Sequence, residues 1–131
     1  MSHMNPMNIL IVDDSSPARQ ILGGALRRVP VEIELLQAAN GVEALAIVEQ
    51  NRVDLIFCDI CMPEMDGLEF LRKLRGAEKT KDLPVVIITA RPTDNNVAEA
   101  LSQGVQGILR KPFTPQDVKA SVTSLVDIAT L

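Results

Sequence analysis

The sequence predicts a doubly wound α/β sandwich, five βα units around a parallel five-stranded sheet, and three observations carry that reading. Apolar runs too short for helices recur at 8–12 (NILIV), 55–58 (LIFC) and 85–88 (VVII). Each stops at a polar residue, Asp13, Asp59 or Thr89. Between the runs lie stretches whose apolar residues repeat at helical spacing. Strands that are apolar throughout belong to sheets covered on both faces, and right-handed crossovers restrict their order. The doubly wound order 2-1-3-4-5 puts ligands at the carboxyl ends of the strands.

The first strand is Asn8 to Val12. Ser15 and Ser16 then offer N-cap oxygens and Pro17 suits the first helical turn, so the first helix follows, with Ala18, Ile21, Leu22, Ala25 and Leu26 on its expected core face. Glu34 to Ala38 is a weaker second strand. Asn40 is a candidate cap for a second helix faced by Val42, Leu45, Ala46 and Val48. After the third strand, a helix over 67–76 carries Leu68, Phe70, Leu71 and Leu74, and after the fourth, one over 94–103 carries Val97, Ala100 and Leu101. Ile108 and Leu109 form the fifth strand, followed by Arg110 and Lys111. Thr114 and Pro115 open the last helix, 115–129, faced by Val118, Val122, Leu125 and Val126.

The chain has 131 residues, room for one domain with its own core, expected at 7–129. Residues 1–6, with the only histidine, His3, read as a disordered terminus or cloning remnant, so histidine catalysis is not expected. With no Trp or Tyr and only Phe57, Phe70 and Phe113, stacking on bases or flavins is a poor fit. A net charge of −4 opposes phosphate backbones and anionic membranes. Two cysteines and no long apolar run imply a cytoplasmic protein. The basic residues Arg72, Lys73, Arg75, Lys79 and Lys81 read as a solvated face and loop.

Chemistry concentrates at the strand ends. If strands one and three are neighbours, Asp13, Asp14 and Asp59 converge. Crowded carboxylates repel, which raises pKa values or recruits a cation. An all-oxygen donor set suits Mg²⁺ better than Zn²⁺, and Mg²⁺ usually sits where a phosphoryl group completes its shell. Thr89 can donate a hydroxyl hydrogen bond and Lys111 can supply a compact cation opposite the metal. Asp59 is then the candidate nucleophile for aspartyl-phosphate chemistry. Capping or turn formation explains any one of these residues alone, but not all five together.

Asp13-Asp14, the segment DICMPEMDG at 59–67, Thr89-Ala90 and Lys111-Pro112-Phe113 resemble the motifs of a response-regulator receiver domain over about residues 7–129. The resemblance implies a flavodoxin-like fold and a phosphoryl group accepted by Asp59 from a phosphohistidine on a histidine kinase or histidine phosphotransfer protein. It further implies Mg²⁺ held by Asp14, Asp59 and the Cys61 carbonyl, with Asp13 acting partly through water. Thr89 and Lys111 read the phosphorylated state. Pro63 restrains the acceptor loop, and Gly67 permits a positive φ or a close approach. Lys111-Pro112 matches a commonly cis bond.

The protein so described is a switch more than an enzyme, catalysing only its own phosphorylation and dephosphorylation. It presents a changed surface on its fourth helix, fifth strand and fifth helix to a downstream effector. It is expected to be a monomer or weak dimer without direct nucleic-acid or membrane binding. No DNA-binding, cyclase or kinase region follows the fifth helix, which fits a stand-alone receiver or one cut from a longer protein. The alternative is a degenerate receiver that works as a phosphorylation-independent interaction module. A dehalogenase-like phosphatase lacks its second Asp, because Cys61 stands there, and an FMN binder lacks its hydroxyl-rich loop.

Two departures matter. Receivers usually carry an aromatic residue where this chain has Ile108, so Thr89 and the loop after it are expected to carry the switch. Cys58 and Cys61 form a C-x-x-C string at a strand end, read as one buried small hydrophobe and one metal-loop residue rather than a redox pair. Cys61 and Arg91 are expected to border the path of the hydrolytic water.

Overall fold

A computed structural model describes residues 6–62, 65–93 and 95–130, with side chains to Leu125; His3, Pro63 and the Val126 side chain lie outside the described residues. The elements run β1 (Met7–Val12), α1 (Ser16–Leu26), β2 (Ile33–Ala38), α2 (Gly41–Gln50), β3 (Leu55–Asp59), α3 (Gly67–Gly76), β4 (Val85–Thr89), α4 (Asn95–Ser102), β5 (Gly107–Arg110) and α5 (Pro115–Thr130). All strand pairs are parallel and the order is β2-β1-β3-β4-β5, as expected.

Strand alternation divides the core in two. Leu10, Val12, Ile56, Cys58, Val85 and Ile87 point to the side holding α2, α3 and α4. Ile9, Ile11, Leu55, Phe57, Val86 and Ile88 point to the side holding α1 and α5. Because both faces are covered, β3 and β4 are buried at every residue, while the edge strands β2 and β5 are mixed. Phe57 and Phe70 are fully buried, one in each half, each contributing about 1.5–3 kcal/mol by leaving water. They serve packing.

Helix starts follow the predicted caps. Ser15 Oγ accepts the Ala18 N–H at 3.2 Å and Asn40 Oδ1 accepts the Glu43 N–H at 2.9 Å. Asp66, not anticipated, caps α3 by accepting the Glu69 N–H at 2.9 Å.

Four expected core positions are corrected. Ile21 is 66% exposed, because the buried stripe of α1 is Leu22, Ala25 and Leu26, and Ile21 sits about a quarter turn from its centre. In α2 the stripe is Gly41, Ala44 and Val48, which at about 100° per residue leaves Val42 and Ala46 on the opposite side, both exposed. Leu101 is 52% exposed on the shoulder of α4, whose buried residues are Val97 and Ala100.

The basic segment is also more engaged than a solvated face. Arg72 pairs with Glu99 of α4, and Lys79 Nζ donates to the Glu49 carbonyl at 2.8 Å. Arg75 donates to the carbonyls of Gln103, Gly104 and Thr80 at 2.9, 3.0 and 3.3 Å.

Candidate functional site

Parallel register assembles the site. Val12 pairs with Cys58, so Asp13 and Asp59, each the next residue, stand side by side at the carboxyl edge. Thr89 pairs with Arg110, which sets Lys111 just beyond Thr89, and the Lys111 N–H donates to the Thr89 carbonyl at 2.8 Å. The same short turn then closes three strand ends. Asp13 Oδ1 accepts the Ser15 N–H, Asp59 Oδ1 the Cys61 N–H and Thr89 Oγ1 the Arg91 N–H, each at 2.9 Å.

Gly67 locks the loop after Asp59. A Cβ there would lie 2.3 Å from the Asp59 carbonyl oxygen and 2.7 Å from Ile60 Cα. The glycine is therefore needed for close approach and not for a positive φ, which among the described glycines belongs to Gly104. The Lys111-Pro112 peptide is cis, in agreement with the resemblance.

Asp13, Asp14 and Asp59 each offer a carboxylate oxygen within 4.8 Å of the others; Asp13 and Asp59 are buried and Asp14 is exposed. Lys111 Nζ donates to Asp59 Oδ2 at 2.8 Å and to Asp13 Oδ2 at 3.2 Å. One amine thus pairs with two of the three carboxylates, and the excess negative charge suits a hard divalent cation. Every side-chain donor in the cluster is oxygen, so the residues present fit Mg²⁺.

Burial pushes the Asp59 carboxyl above its usual 3.8, against the lowering pull of Lys111 and the Cys61 N–H, while the Asp13 charge adds to the rise. For Lys111, burial pulls the amine down, but hydrogen bonds and charges from Asp59 and Asp13 together outweigh it and leave the pKa raised.

A cleft of about 240 Å³ opens over these groups, lined by Asp59, Ile60, Cys61, Thr89, Ala90, Arg91 and Lys111. The nucleophile, hydroxyl and amine expected from sequence therefore share one space, with Cys61 and Arg91 at its border. A cleft of similar size between α1 and the start of α5, lined in part by Ile21 and Phe113, contains none of these groups. Cys58 is fully buried with its thiol on the Asp59 carbonyl at 3.3 Å, and burial raises its pKa well above the usual thiol value. Cys61 is exposed and both cysteines are free.

Sequence reasoning missed Arg19. Its Nη1 donates to the Asp13 carbonyl at 2.6 Å and its Nε to Gln37 Oε1 at 3.0 Å. A cation one turn into a helix carries no signal of that reach.

Residues 9–123 match the model of the response regulator receiver domain. This chain belongs to that family. The receiver is 37% identical over 121 residues to a chemotaxis protein CheY homolog of Campylobacter jejuni, covering 92% of each chain. It is 39% identical over 114 residues to chemotaxis protein CheY1 of Helicobacter pylori, covering 86% of this chain and 91% of the other. The solved structure of chemotaxis response regulator CheY4 of Vibrio cholerae superposes with a TM-score of 0.82 at 32% identity, covering 92% of this receiver and 99% of that chain. The family and the CheY-like relatives support a phosphoacceptor signalling switch in two-component signalling.

Proposed function

We propose that this receiver accepts a phosphoryl group on Asp59 from a phosphohistidine of a histidine kinase or histidine phosphotransfer protein. The observation that carries the proposal is the joint placement of Asp59, Thr89 and Lys111 around one cleft, with Asp13 and Asp14 beside it. Asp59 Oδ attacks phosphorus as the P–N bond breaks, and the electron pair leaves with the donor imidazole. Such a loose transition state needs positioning and charge neutralisation, not a histidine of this chain.

The carboxylates of Asp14 and Asp59 and the Cys61 carbonyl would hold Mg²⁺, with Asp13 acting partly through water. When bound, the ion supplies neutralisation of the phosphoryl oxygens. Lys111, protonated at neutral pH, exchanges its contact with the Asp59 carboxylate for one with the new phosphoryl oxygens. Thr89 Oγ1 accepts from Arg91, which leaves its own O–H free to donate to the phosphoryl group.

Movement of Thr89 is passed through residues 90–93 to α4, altering the surface of α4, β5 and α5 for a downstream effector. Ile108, half-buried against the α2–α3–α4 core, repacks little. The domain is a switch with self-catalysed phosphorylation and dephosphorylation, working in the cytoplasm as a monomer or weak dimer. It makes no direct contact with nucleic acid or membrane, and no helix among the described residues is long and apolar enough to cross a bilayer.

The test is incubation with a small-molecule phosphodonor and Mg²⁺, followed by intact mass. Wild type gains one phosphoryl group and Asp59→Asn gains none. No gain in wild type, or equal gain in both, overturns the proposal.

A further inference from the structure

Asp13 is held at every polar group. Its N–H donates to the Ala38 carbonyl at 3.1 Å, its Oδ1 accepts from Ser15, its Oδ2 accepts from Lys111, and its carbonyl accepts from Arg19 at 2.6 Å. Asp14 differs. Among the described residues nothing holds its exposed carboxylate, so the backbone fixes only the point from which that side chain leaves the chain.

The Asp13 carbonyl and the Asp14 N–H share one rigid peptide plane. Whatever fixes that carbonyl therefore fixes the position of the Asp14 Cα, which lies in the same plane. Arg19 does so from α1, and its guanidinium is steadied from the other side by Gln37 of β2 at 3.0 Å. Among the described residues Arg19 forms no ion pair, although the protein is rich in acids. Its charge goes to a neutral carbonyl and a neutral amide. Three elements, α1, β1 and β2, are thereby tied at the acidic turn.

We infer that Arg19 is a positioning residue for the divalent-cation site, holding the Asp13–Asp14 peptide so that the Asp14 Cα stays where its carboxylate can reach the ion. The inference rests on the proposed Mg²⁺ site and adds a residue that touches neither ion nor phosphoryl group. Hydrogen-bonding partners of metal ligands commonly govern affinity by 10–100-fold in this way.

The sign of the effect separates positioning from simple charge. A cation near three carboxylates repels an incoming Mg²⁺, so its removal by field alone tightens binding. Loss of positioning weakens it.

The experiment is calorimetric titration of the unphosphorylated protein with Mg²⁺, with the metal-free thermal midpoint measured beside it. Arg19→Ala is expected to weaken Mg²⁺ by about tenfold. Arg19→Lys, which keeps the charge but not the two-pronged reach, recovers part of that loss. Gln37→Ala, which leaves all charges in place, weakens binding by about threefold, the scale of one neutral hydrogen bond. Unchanged or tighter binding in Arg19→Ala overturns the inference, as does a lowered midpoint with unaltered affinity, the mark of a purely structural arginine. Should Arg19→Ala not fold, unchanged affinity in Gln37→Ala overturns it. Absence of Mg²⁺ binding in wild type fails the metal site itself. Normal binding in wild type and in Arg19→Ala fails only the role of Arg19.

Discussion

At the carboxyl edge of β1 and β3 one amine pairs with two of three clustered carboxylates, whereas where α3 meets α4 a single guanidinium, that of Arg75, spreads over three backbone carbonyls. Both arrangements tie loops that follow β-strands or helices, and both are partly buried. Burial lowers the Arg75 pKa and raises that of Asp59, the same desolvation cost acting on opposite charges. The difference lies in balance. Arg75 gives its N–H groups to carbonyls that helix ends and turns leave without partners, so nothing further is required there. The acidic edge keeps an excess of like charge that protein groups do not neutralise. A region balanced within itself serves stability, and one left unbalanced is set to be completed by a ligand.

Four substitutions sharpen that contrast, beginning with the largest effect. Gly67→Ala pushes a methyl group into the Asp59 carbonyl and should destabilise the domain by about 3 kcal/mol in urea unfolding. A loss below about 1 kcal/mol would show that the acceptor loop can relax.

Arg75→Ala should cost about 1–2 kcal/mol, since charged hydrogen bonds to partly buried and exposed carbonyls are lost. Its phosphorylation rate with a small-molecule donor should stay at the wild-type level. A slowed rate would link the two regions.

Asp59→Asn should act in the opposite direction and stabilise metal-free protein at pH 7 by about 0.5–2 kcal/mol, the usual range for a stabilising change. The sign follows from linkage. Because the folded-state pKa of Asp59 is raised above 3.8, ionising it costs stability as pH rises through that interval, and the cost is fully present above the folded value. The advantage of Asn should therefore vanish below pH 3.8, where both forms are neutral. Equal stability of the two proteins at pH 7 without metal would mean that Lys111 already balances the edge.

Arg72→Ala removes an exposed pair with Glu99, whose side chains are 51% and 44% exposed, and should change stability by less than about 0.5 kcal/mol. A larger change would make the α3–α4 flank more electrostatic than Arg75 alone implies.

Much of this is legible in the sequence. The apolar runs before Asp13, Asp59 and Thr89 placed three strands and three site residues at once, because a buried parallel strand needs continuous apolar sequence and its carboxyl end is where polarity can return. Caps at Ser15 and Asn40 were equally readable, since a side-chain oxygen serves the N–H groups of its own helix. Helix faces are less legible. Ile21, Val42 and Leu101 are apolar yet exposed, and apolar character alone does not say which side of a helix meets the sheet.

The order of residues along the chain already carries the chemistry at the strand ends: which residues are acids, hydroxyl and amine, and in what succession they arrive. These depend on local alternation and on short-range turns, which the chain encodes within a few residues. How they are held depends on the packed fold. Lys111 meets Asp13 across 98 positions of sequence and Asp59 across 52, and Arg19 reaches the acidic turn with support from Gln37 on a different strand. For Gly67 the sequence left a positive φ or a close approach open, and the fold decides for close approach, because the chain turns back onto Asp59. Such contacts arise from sheet order and crossover packing, where residues far apart in the chain meet only after the strands have paired.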